Sequence, residues 1–343
     1  MNAPSPSVDA APNPGFIFDT LNAFQRSFAL RGAIDLDLFT AIAKGHDEPR
    51  SLAAAVQGDE RAVRILCDFL TVSGFLGKQG ERYTLSPTAA VFLDSRSPQY
   101  LGKMVGFIHS PHLIDAFRDV AQVVRRGTTL LDGSGTVESE YDGWVDFARS
   151  MAPMMRPAAH FIAEWAARNA SGPIRVLDIA AGHGLFGITV AQQNPHAQVV
   201  ALDWGKVLAV AQENAEAAGV AGRFSQMPGD ALQIDYGRGF DLVLLTNFLH
   251  HFDRPTCVGI LRKVAAALAD HGHVVTLEFV PNEDRVSPPV PATFSFTMLG
   301  TTPAGDAYTF AEYQSMWREV GFESHELHDV PNSAQRLIVS RRK

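Results

Sequence analysis

The fold is decided by one segment, Val176-Leu177-Asp178-Ile179-Ala180-Ala181-Gly182-His183-Gly184-Leu185-Phe186-Gly187. An apolar run followed by closely spaced glycines predicts a buried strand, a tight turn and the start of a helix. Gly182 and Gly184 carry no Cβ, so a ligand can approach the backbone of the turn. The segment contains G-x-G-x-x-G, which nicotinamide- and flavin-binding proteins share, so the pattern alone leaves the ligand open.

The rest of the second half alternates between strand-like and helix-like runs. Predicted strands lie at 175–180, 198–203, 224–227, 240–246 and 273–280, and predicted helices at 186–193, 206–218 and 254–269. Such alternation predicts a parallel sheet with helices on both faces. A helix at 309–320 precedes runs at 323–330 and 336–341, whose short connection requires antiparallel strands. We therefore predict an α/β fold, a Rossmann-like and mostly parallel seven-stranded sheet with an antiparallel C-terminal hairpin.

Acidic residues at the ends of successive strands narrow the choice of ligand. Asp203 lies 19 residues after Gly184, where a carboxylate can accept both ribose hydroxyls of an adenosine group. Asp178 precedes Gly182 by four residues and would repel a pyrophosphate but attract a sulfonium or ammonium group. Asp230 follows the third strand and can accept from an adenine amino group. These positions favour S-adenosylmethionine over a dinucleotide. The alternatives are that Asp178 only binds backbone amides of the turn and that Asp230 only caps a helix.

The first half reads as mainly helical. Helices at 16–30, 34–43, 51–57 and 60–75 precede an alternating run at 76–85 that predicts a β-hairpin, and this order is typical of a winged helix. Residues 98–126 also look helical, and the Gly-rich residues 127–143 read as a loop. The first 15 residues are rich in Pro, Ala and Ser without the basic and apolar regions of a signal peptide, so we expect a disordered lead-in at 1–15.

On these motifs the chain resembles the class I S-adenosylmethionine-dependent methyltransferases, and more closely the small-molecule O-methyltransferases with an N-terminal winged-helix dimerisation domain. Two further segments, 247–252 and 305–309, are more specific to that branch. The resemblance implies a dimerisation domain at 16–100, a helical connector with acceptor-pocket helices at 101–171, and an S-adenosylmethionine-binding catalytic domain at 172–343. It implies S-adenosylmethionine as the cofactor, S-adenosylhomocysteine as its product and a homodimer.

The resemblance also implies a set of cofactor contacts. It places the amino-acid part of the cofactor near Gly182, the ribose on Asp203 and the adenine near Asp230 and Ala231, with Trp204 packed against the adenosine. The full set of predicted cofactor-binding residues is Asp178, Gly182, Gly184, Asp203, Trp204, Gly229, Asp230, Ala231 and Asn247.

Methyl transfer to a hydroxyl needs a base, and a His side chain titrates near neutral pH. His250 follows the fourth strand of the sheet, at the edge where open α/β sheets bind ligands. The resembled family has its general base at this position, and Glu278, at the end of the fifth strand, can orient it. Two departures weaken the match, because His251 stands where many relatives have Asp, and Ala307, beside Asp306, stands where plant members have a second Glu. The alternative is that His250 only caps the strand–helix junction.

The acceptor site is expected to be apolar, which suits a planar aromatic compound. Met151, Met154 and Met155 precede the sheet domain, and Phe294, Phe296 and Met298 alternate in the insert after the fifth strand. The predicted substrate contacts are Met151, Met154, Met155, His251, Phe294 and Met298. Plain core packing is the alternative for the Met and Phe residues. The many Phe residues of the first helix favour a homodimer interface.

Composition excludes several other classes of protein. The net charge of −8 argues against a broad phosphate-binding surface, so no nucleic-acid partner is expected. No apolar run is long enough for a membrane span. The two cysteines, Cys67 and Cys257, form no Cys-x-x-Cys motif, which fits a reducing cytoplasm.

Several other functions stay open. The fold also hosts C- and N-methylation and non-methylating reactions, and a winged helix could belong to a DNA-binding regulator that senses S-adenosylmethionine. A metal site built from His250, His251, Asp253 and Glu278 is a further alternative, but no metal is predicted.

Overall fold

The computed structural model describes residues 12–139, 141, 143–170 and 172–342. The chain divides into two compact units, Met1–Val105 and Gly106–Lys343. Most of the predicted lead-in at 1–15 lies outside the described residues, and its last residue, Gly15, already begins the first helix. No helix in the described ranges is long and apolar enough to cross a bilayer.

The first unit has the helices and hairpin that the sequence predicts. Its elements are α1 (Gly15–Asp35), α2 (Leu38–Ala43), α3 (Pro49–Val56), α4 (Glu60–Val72), β1 (Leu76–Gln79), β2 (Arg82–Leu85) and α5 (Pro87–Phe92). The Asp59 carboxylate caps α4 by accepting from the amide of Ala62 at 2.9 Å. β1 and β2 pair antiparallel. Leu38, Phe39, Leu52, Leu70 and Tyr83 belong to a core of this unit alone.

The predicted helical segment at 98–126, which includes the last residues of the first unit, is more broken than predicted. Residues 98–126 contain three short helices, α6 (Met104–Ile108), α7 (Pro111–Asp115) and α8 (Val120–Arg126), separated by turns. Ser110-Pro111 explains one of these breaks, because the Ser110 hydroxyl caps α7 and Pro111 starts it. The predicted loop at 127–143 contains one turn of 3₁₀-helix, Gly135–Val137. Two helices follow, α9 (Gly143–Ser150) and α10 (Ala152–Asn169).

The sheet of the second unit has the predicted form. Its strands are β3 (Ile174–Ile179), β4 (Ala197–Asp203), β5 (Phe224–Pro228), β6 (Phe240–Thr246), β7 (Leu268–Glu278), β8 (Ser324–Asp329) and β9 (Arg336–Arg341). The spatial order is β5-β4-β3-β6-β7-β9-β8. The first five are parallel, and β9 pairs antiparallel with both β7 and β8. The remaining helices are α11 (Leu185–Gln193), α12 (Gly205–Ala217), α13 (Arg254–Ala267), α14 (Pro289–Thr301) and α15 (Phe310–Glu319).

The register of the central strands determines where a site can form. Ile179 pairs with Leu202 on one side and with Leu245 on the other, and Thr246 pairs with Leu277. The carboxyl ends of four neighbouring strands therefore stop at the same level of the sheet. Side chains that follow these ends converge, as expected for a ligand site in an open α/β sheet.

Candidate active site

A cavity of about 610 Å³ lies at this edge of the sheet, and every residue that lines it belongs to the second unit. Its size is that of a typical small-molecule site. Fourteen predicted site residues line it: Met151, Met154, Met155, Gly182, Asp203, Trp204, Gly229, Asp230, Ala231, Asn247, His250, His251, Phe294 and Met298. Asp178, Gly184 and Glu278 do not.

The glycine-rich turn approaches the cavity through Gly182. Gly182 and Gly184 both adopt positive φ angles, 56° and 72°, which glycine tolerates without strain. Gly184, a predicted cofactor contact, does not line the cavity. A Cβ there would meet Ala211 at 3.0 Å and both Ile188 and Phe224 at 3.2 Å, so Gly184 allows the turn to pack on the core.

Asp178, another predicted cofactor contact, does not line the cavity either. Its side chain is fully buried behind the turn, where Oδ2 accepts a hydrogen bond from the amide of Gly187 at 3.0 Å. Burial raises the pKa of this carboxyl to about 7, and the charge of Asp203 adds to the rise. Asp178 therefore anchors the start of α11, which is the alternative reading of the sequence.

Asp203 both holds the turn and lines the cavity. Its Oδ2 accepts from the amide of Gly182 at 2.8 Å and its Oδ1 from the amide of Trp204 at 2.7 Å. Burial raises its pKa to about 6, although both amide bonds favour the charged form. Asp230 also lines the cavity, but its Oδ1 accepts from Leu232 two residues on, so it closes a local turn as well.

His250 and Glu278 form a buried pair. The Nδ1 atom of His250 lies 2.5 Å from Oε2 of Glu278, and both side chains are almost completely buried. The other carboxylate oxygen, Oε1, accepts from the amides of Phe248 at 3.0 Å and Leu249 at 2.9 Å. Glu278 thus fixes the ring of His250 and the backbone that carries it. Since Nδ1 faces the carboxylate, Nε2 is the ring nitrogen left for the cavity.

His251 lies beside this pair. Its ring centroid is 4.3 Å from that of His250 and 5.2 Å from the nearer ring centroid of Trp144. Burial and the neighbouring His250 hold the pKa of His251 well below its usual range, so it stays neutral near pH 7. Its Nδ1 has no hydrogen-bond partner in the described part of the chain. His251 can therefore offer a neutral polar contact.

An aromatic wall encloses the pair. Phe294 stacks on Phe279 at 4.0 Å and meets the ring of His250 edge-on at 4.9 Å. The insert that carries it is helix α14, so Phe294 and Met298 lie one turn apart on its cavity side. Phe296 does not line the cavity and is 49% exposed. The alternation at 294–298 therefore places only two of these three residues in the site.

Sequence reasoning assigned no role to four other cavity residues. Phe107, Trp144 and Phe147 form a continuous aromatic cluster, with ring centroids between 5.2 and 6.2 Å apart. His183, in the glycine-rich turn, stacks on Phe147 at 6.1 Å. The spacing of Trp144, Phe147 and Met151 on successive helical turns was the available signal.

Asn247 links the site to the segment that precedes β9, at the same edge of the sheet. It adopts a positive φ of 55°, which asparagine tolerates better than most residues. Its Oδ1 accepts from Nε2 of Gln335, and its Nδ2 lies 3.8 Å from Sδ of Met155. Asn247 can therefore fix one wall of the cavity.

The comparisons with known proteins agree with this geometry. The family profile of an O-methyltransferase domain matches residues 162–323, and that of an O-methyltransferase dimerisation domain matches residues 18–95. A solved structure from Nostoc punctiforme, a candidate O-methyltransferase, is 47% identical, with a TM-score of 0.93 over 96% of this chain and 99% of its own. The chain belongs to the S-adenosylmethionine-dependent O-methyltransferases.

Two more distant relatives extend the comparison. The 3-hydroxy-5-methyl-1-naphthoate 3-O-methyltransferase of Streptomyces sahachiroi is 27% identical over 90% of this chain and 89% of its own. Human N-acetylserotonin methyltransferase, solved in complex with S-adenosylmethionine, shares the fold with a TM-score of 0.83 at 18% identity, over 98% of this chain and 99% of its own.

The donor set of this methyltransferase fits the cofactor that the family implies. Among the described lining residues the charged side chains are Glu138, Asp203 and Asp230, without Lys or Arg. Such a lining suits a sulfonium and disfavours a pyrophosphate. The carboxylate of Asp203 and the indole of Trp204 supply the acceptor and the flat apolar surface that an adenosine requires.

In this methyltransferase the segment 305–309 contacts the backbone of His250. It is one of the two segments that are specific to the branch. The amide of Asp306 donates to the carbonyl of His250 at 3.0 Å, and a Cβ at Gly305 would come within 2.3 Å of that oxygen. The Asp306 carboxylate instead pairs with Arg285 at 3.4 Å, and Ala307 is fully buried. This segment therefore brings no second carboxylate into the cavity.

No metal site is present in the described part of the methyltransferase. No group of three or more His, Cys, Asp or Glu side chains there could hold an ion. Asp253 caps α13 instead, where its Oδ1 accepts from the amide of Thr256 at 2.9 Å.

Proposed function

We propose that this enzyme methylates a hydroxyl group on a planar aromatic acceptor and that His250 is the general base. The observation that carries the proposal is the buried contact of 2.5 Å between Nδ1 of His250 and Oε2 of Glu278. A carboxylate accepts hydrogen bonds only, so Nδ1 carries the proton and neutral His250 has its lone pair on Nε2. That lone pair faces the cavity, where it can take the proton of a bound hydroxyl.

Glu278 has a second role in this scheme. When His250 accepts a proton it becomes an imidazolium, and the adjacent carboxylate stabilises that charge. The carboxylate is held by three hydrogen bonds, so it does not need to reorganise during the reaction. Glu278 is therefore a positioning and stabilising residue.

The cofactor contacts are proposed from the same cavity. S-adenosylmethionine, when bound, supplies a methyl group on an already activated sulfonium. Asp203 and Trp204 would hold its adenosine, Asp230 and Ala231 its adenine, and the turn at Gly182 its amino-acid end. Gly229 and Asn247 would complete the cavity wall. Asp178 and Gly184 would act through the shape of the turn, since neither lines the cavity.

The acceptor class follows from the wall around His250. Phe294 and Met298 from α14 and the three methionines Met151, Met154 and Met155 present flat or adaptable apolar surface. An aromatic ring lying on this surface would bring its hydroxyl to Nε2 of His250. His251 would give the ring substituents a neutral polar contact.

The test compares two acceptors with a His250→Gln variant. A phenol of ordinary pKa needs a base, so we expect its rate to fall by about 10²- to 10⁴-fold in the variant. A nitrophenol that is already ionised at the assay pH needs none and should keep most of its rate. Calorimetric titration with S-adenosylhomocysteine checks that the variant still binds the cofactor product. Equal losses for both acceptors, or full activity with both, would exclude His250 as the base.

We also propose a homodimer formed through the N-terminal domain. Ile17, Leu21 and Phe24 lie on one face of α1 and are 60%, 65% and 58% exposed in the single chain. A surface this apolar is typical of an interface. Leu21→Asp with Phe24→Asp should give monomers in light scattering after gel filtration, and Asn22→Asp should leave dimers. A dimeric double variant would contradict this assignment.

Nucleic acid is not a proposed partner. In the winged-helix unit, Arg64 of α4 and Lys78 of the hairpin both pair with Asp68, at 2.9 and 2.5 Å. Asp68 therefore offsets part of the positive charge of these two side chains. Salt-sensitive gel shifts with genomic fragments would contradict this view.

The free thiols of Cys67 and Cys257 are both buried, which supports a reducing cytoplasm.

A further inference from the structure

His183 is the side chain of the glycine-rich turn that faces the cavity. It is only 2% exposed, and its ring lies between Phe147, stacked at 6.1 Å, and Phe186 at 5.7 Å. Its carbonyl accepts from Nδ2 of Asn214 at 2.9 Å, which fixes the backbone at this position. The ring is thus held in one orientation by packing on both sides.

The tautomer of His183 follows from one hydrogen bond. The amide of Leu185 donates to Nδ1 of His183 at 3.1 Å, so Nδ1 carries the lone pair and the ring proton sits on Nε2. Burial lowers the pKa of His183 to about 4, which keeps it neutral near pH 7. Among the described residues, no hydrogen bond uses Nε2 of His183. This atom is also not one of the buried polar atoms that lack a partner. Its N–H is therefore available to a ligand in the cavity.

Most backbone amides of the turn are already used. The amide of Ala181 donates to the carbonyl of Leu202, and the amide of Gly184 donates to the carbonyl of Ala181. Gly182 donates to Asp203, Leu185 to His183 and Gly187 to Asp178. A ligand anion at this turn therefore finds few free backbone donors.

The cofactor nevertheless has a carboxylate at its amino-acid end, and the described lining has no Lys or Arg to pair with it. Asp203 and Trp204 suit the adenosine end and His250 the reacting end, which leaves the amino-acid end for the turn. We propose that the Nε2–H of His183 donates a hydrogen bond to the carboxylate of the cofactor. This rests on the cofactor being S-adenosylmethionine and does not depend on the role of His250.

The test is a matched pair of substitutions, His183→Asn and His183→Gln. An Asn side chain can still accept from the amide of Leu185 but does not reach the position of Nε2. A Gln side chain carries an amide N–H close to that position but gives up the contact with Leu185. Dissociation constants are measured by calorimetry for S-adenosylhomocysteine and for 5′-methylthioadenosine, which has the same adenosine thioether without the amino-acid group.

We expect His183→Asn to bind S-adenosylhomocysteine at least about tenfold more weakly, as for loss of a hydrogen bond to a charged group, while 5′-methylthioadenosine binds as to the wild type. His183→Gln should recover part of this preference. Wild-type affinity for S-adenosylhomocysteine in His183→Asn, or an equal loss for both ligands, would overturn the proposal and leave His183 as a support of the turn.

A second measurement uses the unmodified protein. Nitrogen-15 NMR of the wild type should show His183 as the neutral tautomer with its proton on Nε2. That proton should shift when S-adenosylhomocysteine is added and should shift much less with 5′-methylthioadenosine. An Nδ1–H tautomer, or the same shift with both ligands, would also overturn the proposal.

Discussion

Glu278→Gln separates the role of Glu278 as a support of the backbone from its role in setting the tautomer of His250. The Gln carbonyl can still accept from the amides of Phe248 and Leu249, which lie 3.0 and 2.9 Å from Oε1 in the wild type. Its NH₂ group then faces Nδ1 of His250 as a donor. The opposite orientation would place that NH₂ group against two backbone N–H donors and is disfavoured.

The consequence for His250 is a change of tautomer. If Nδ1 must accept a hydrogen bond, the ring proton moves to Nε2, and the lone pair that faces the cavity is lost. We expect the rate with a phenol of ordinary pKa to fall by about 10²- to 10⁴-fold, the usual worth of a general base. Since the two amide bonds persist, the loss of stability should be about 1 kcal/mol.

Glu278→Ala is the contrasting variant. It leaves two buried amides without an acceptor, each costing about 1 to 3 kcal/mol, and adds a void beside His250. Its melting temperature should therefore fall on the order of 10 °C. The Gln variant should melt within a few degrees of the wild type, because about 1 kcal/mol corresponds to about 2 to 4 °C in a domain of this size.

The assay measures single-turnover rates for the wild type and the Gln variant with an ordinary phenol and with an ionised nitrophenol. This role of Glu278 predicts a large loss with the first acceptor and a small loss with the second. It is refuted if Glu278→Gln methylates the ordinary phenol at the wild-type rate while binding S-adenosylhomocysteine normally. It is also refuted if the Gln and Ala variants lose the same stability, because the two amide bonds would then not be what Glu278 supplies.

Three further predictions concern stability. Gly305→Ala should destabilise the protein and slow catalysis, because the added Cβ would lie 2.3 Å from the carbonyl oxygen of His250. In the control Gly259→Ala, in α13, the added Cβ has no neighbour within 4 Å, so this variant should not be destabilised. Thermal melts compare the two variants. The pKa of Asp178 is raised to about 7 in the folded state, so the free energy of unfolding of the wild type should fall by up to about 4 kcal/mol as pH rises from about 4 to 7. Asp178→Asn should therefore gain stability relative to the wild type over that range, as measured by urea titrations. A difference between the two proteins that does not depend on pH would contradict this. Asp253→Ala should cost about 1 kcal/mol through loss of the cap on α13, without changing cofactor binding; a loss of calorimetric affinity would contradict this.

Strands were predicted well wherever a continuous apolar run is buried on both faces of the sheet. β6 and β9 begin and end at the predicted residues, β4 begins one residue earlier, and β3 is shifted by one residue at both ends. β7 begins five residues earlier than predicted, at Leu268. Two of the five added residues, Asp270 and His271, are polar and exposed, and they interrupt the apolar pattern that would predict a strand.

The sequence shows where the site lies in the fold, but it does not show which side chains point into the site. Strand ends identify the edge at which His250 and Asp203 converge, because parallel strands finish together. They do not show on which side of a turn a side chain lies, and Asp178 and Gly184 face the core for this reason. Trp144 and Phe147 were missed because they cover the cavity from a separate helix, and a helical pattern does not show what its apolar face packs against.

Asp178, Asp203 and Glu278 have a structural role in common. They stand at or near the ends of three parallel strands, and each accepts hydrogen bonds from backbone amides of neighbouring segments. Asp178 and Asp203 are predicted cofactor contacts and Glu278 is predicted to orient His250, yet in each case at least one carboxylate oxygen accepts from the backbone. The acidic side chains at the strand ends thus hold the neighbouring backbone in place, and that backbone carries Gly182, His183 and His250, which line the cavity. An alanine at any of the three acids would release a loop as well as a charge, so loss of binding in such a variant does not by itself show contact with a ligand. Amide replacements, which keep an acceptor oxygen, distinguish the two roles.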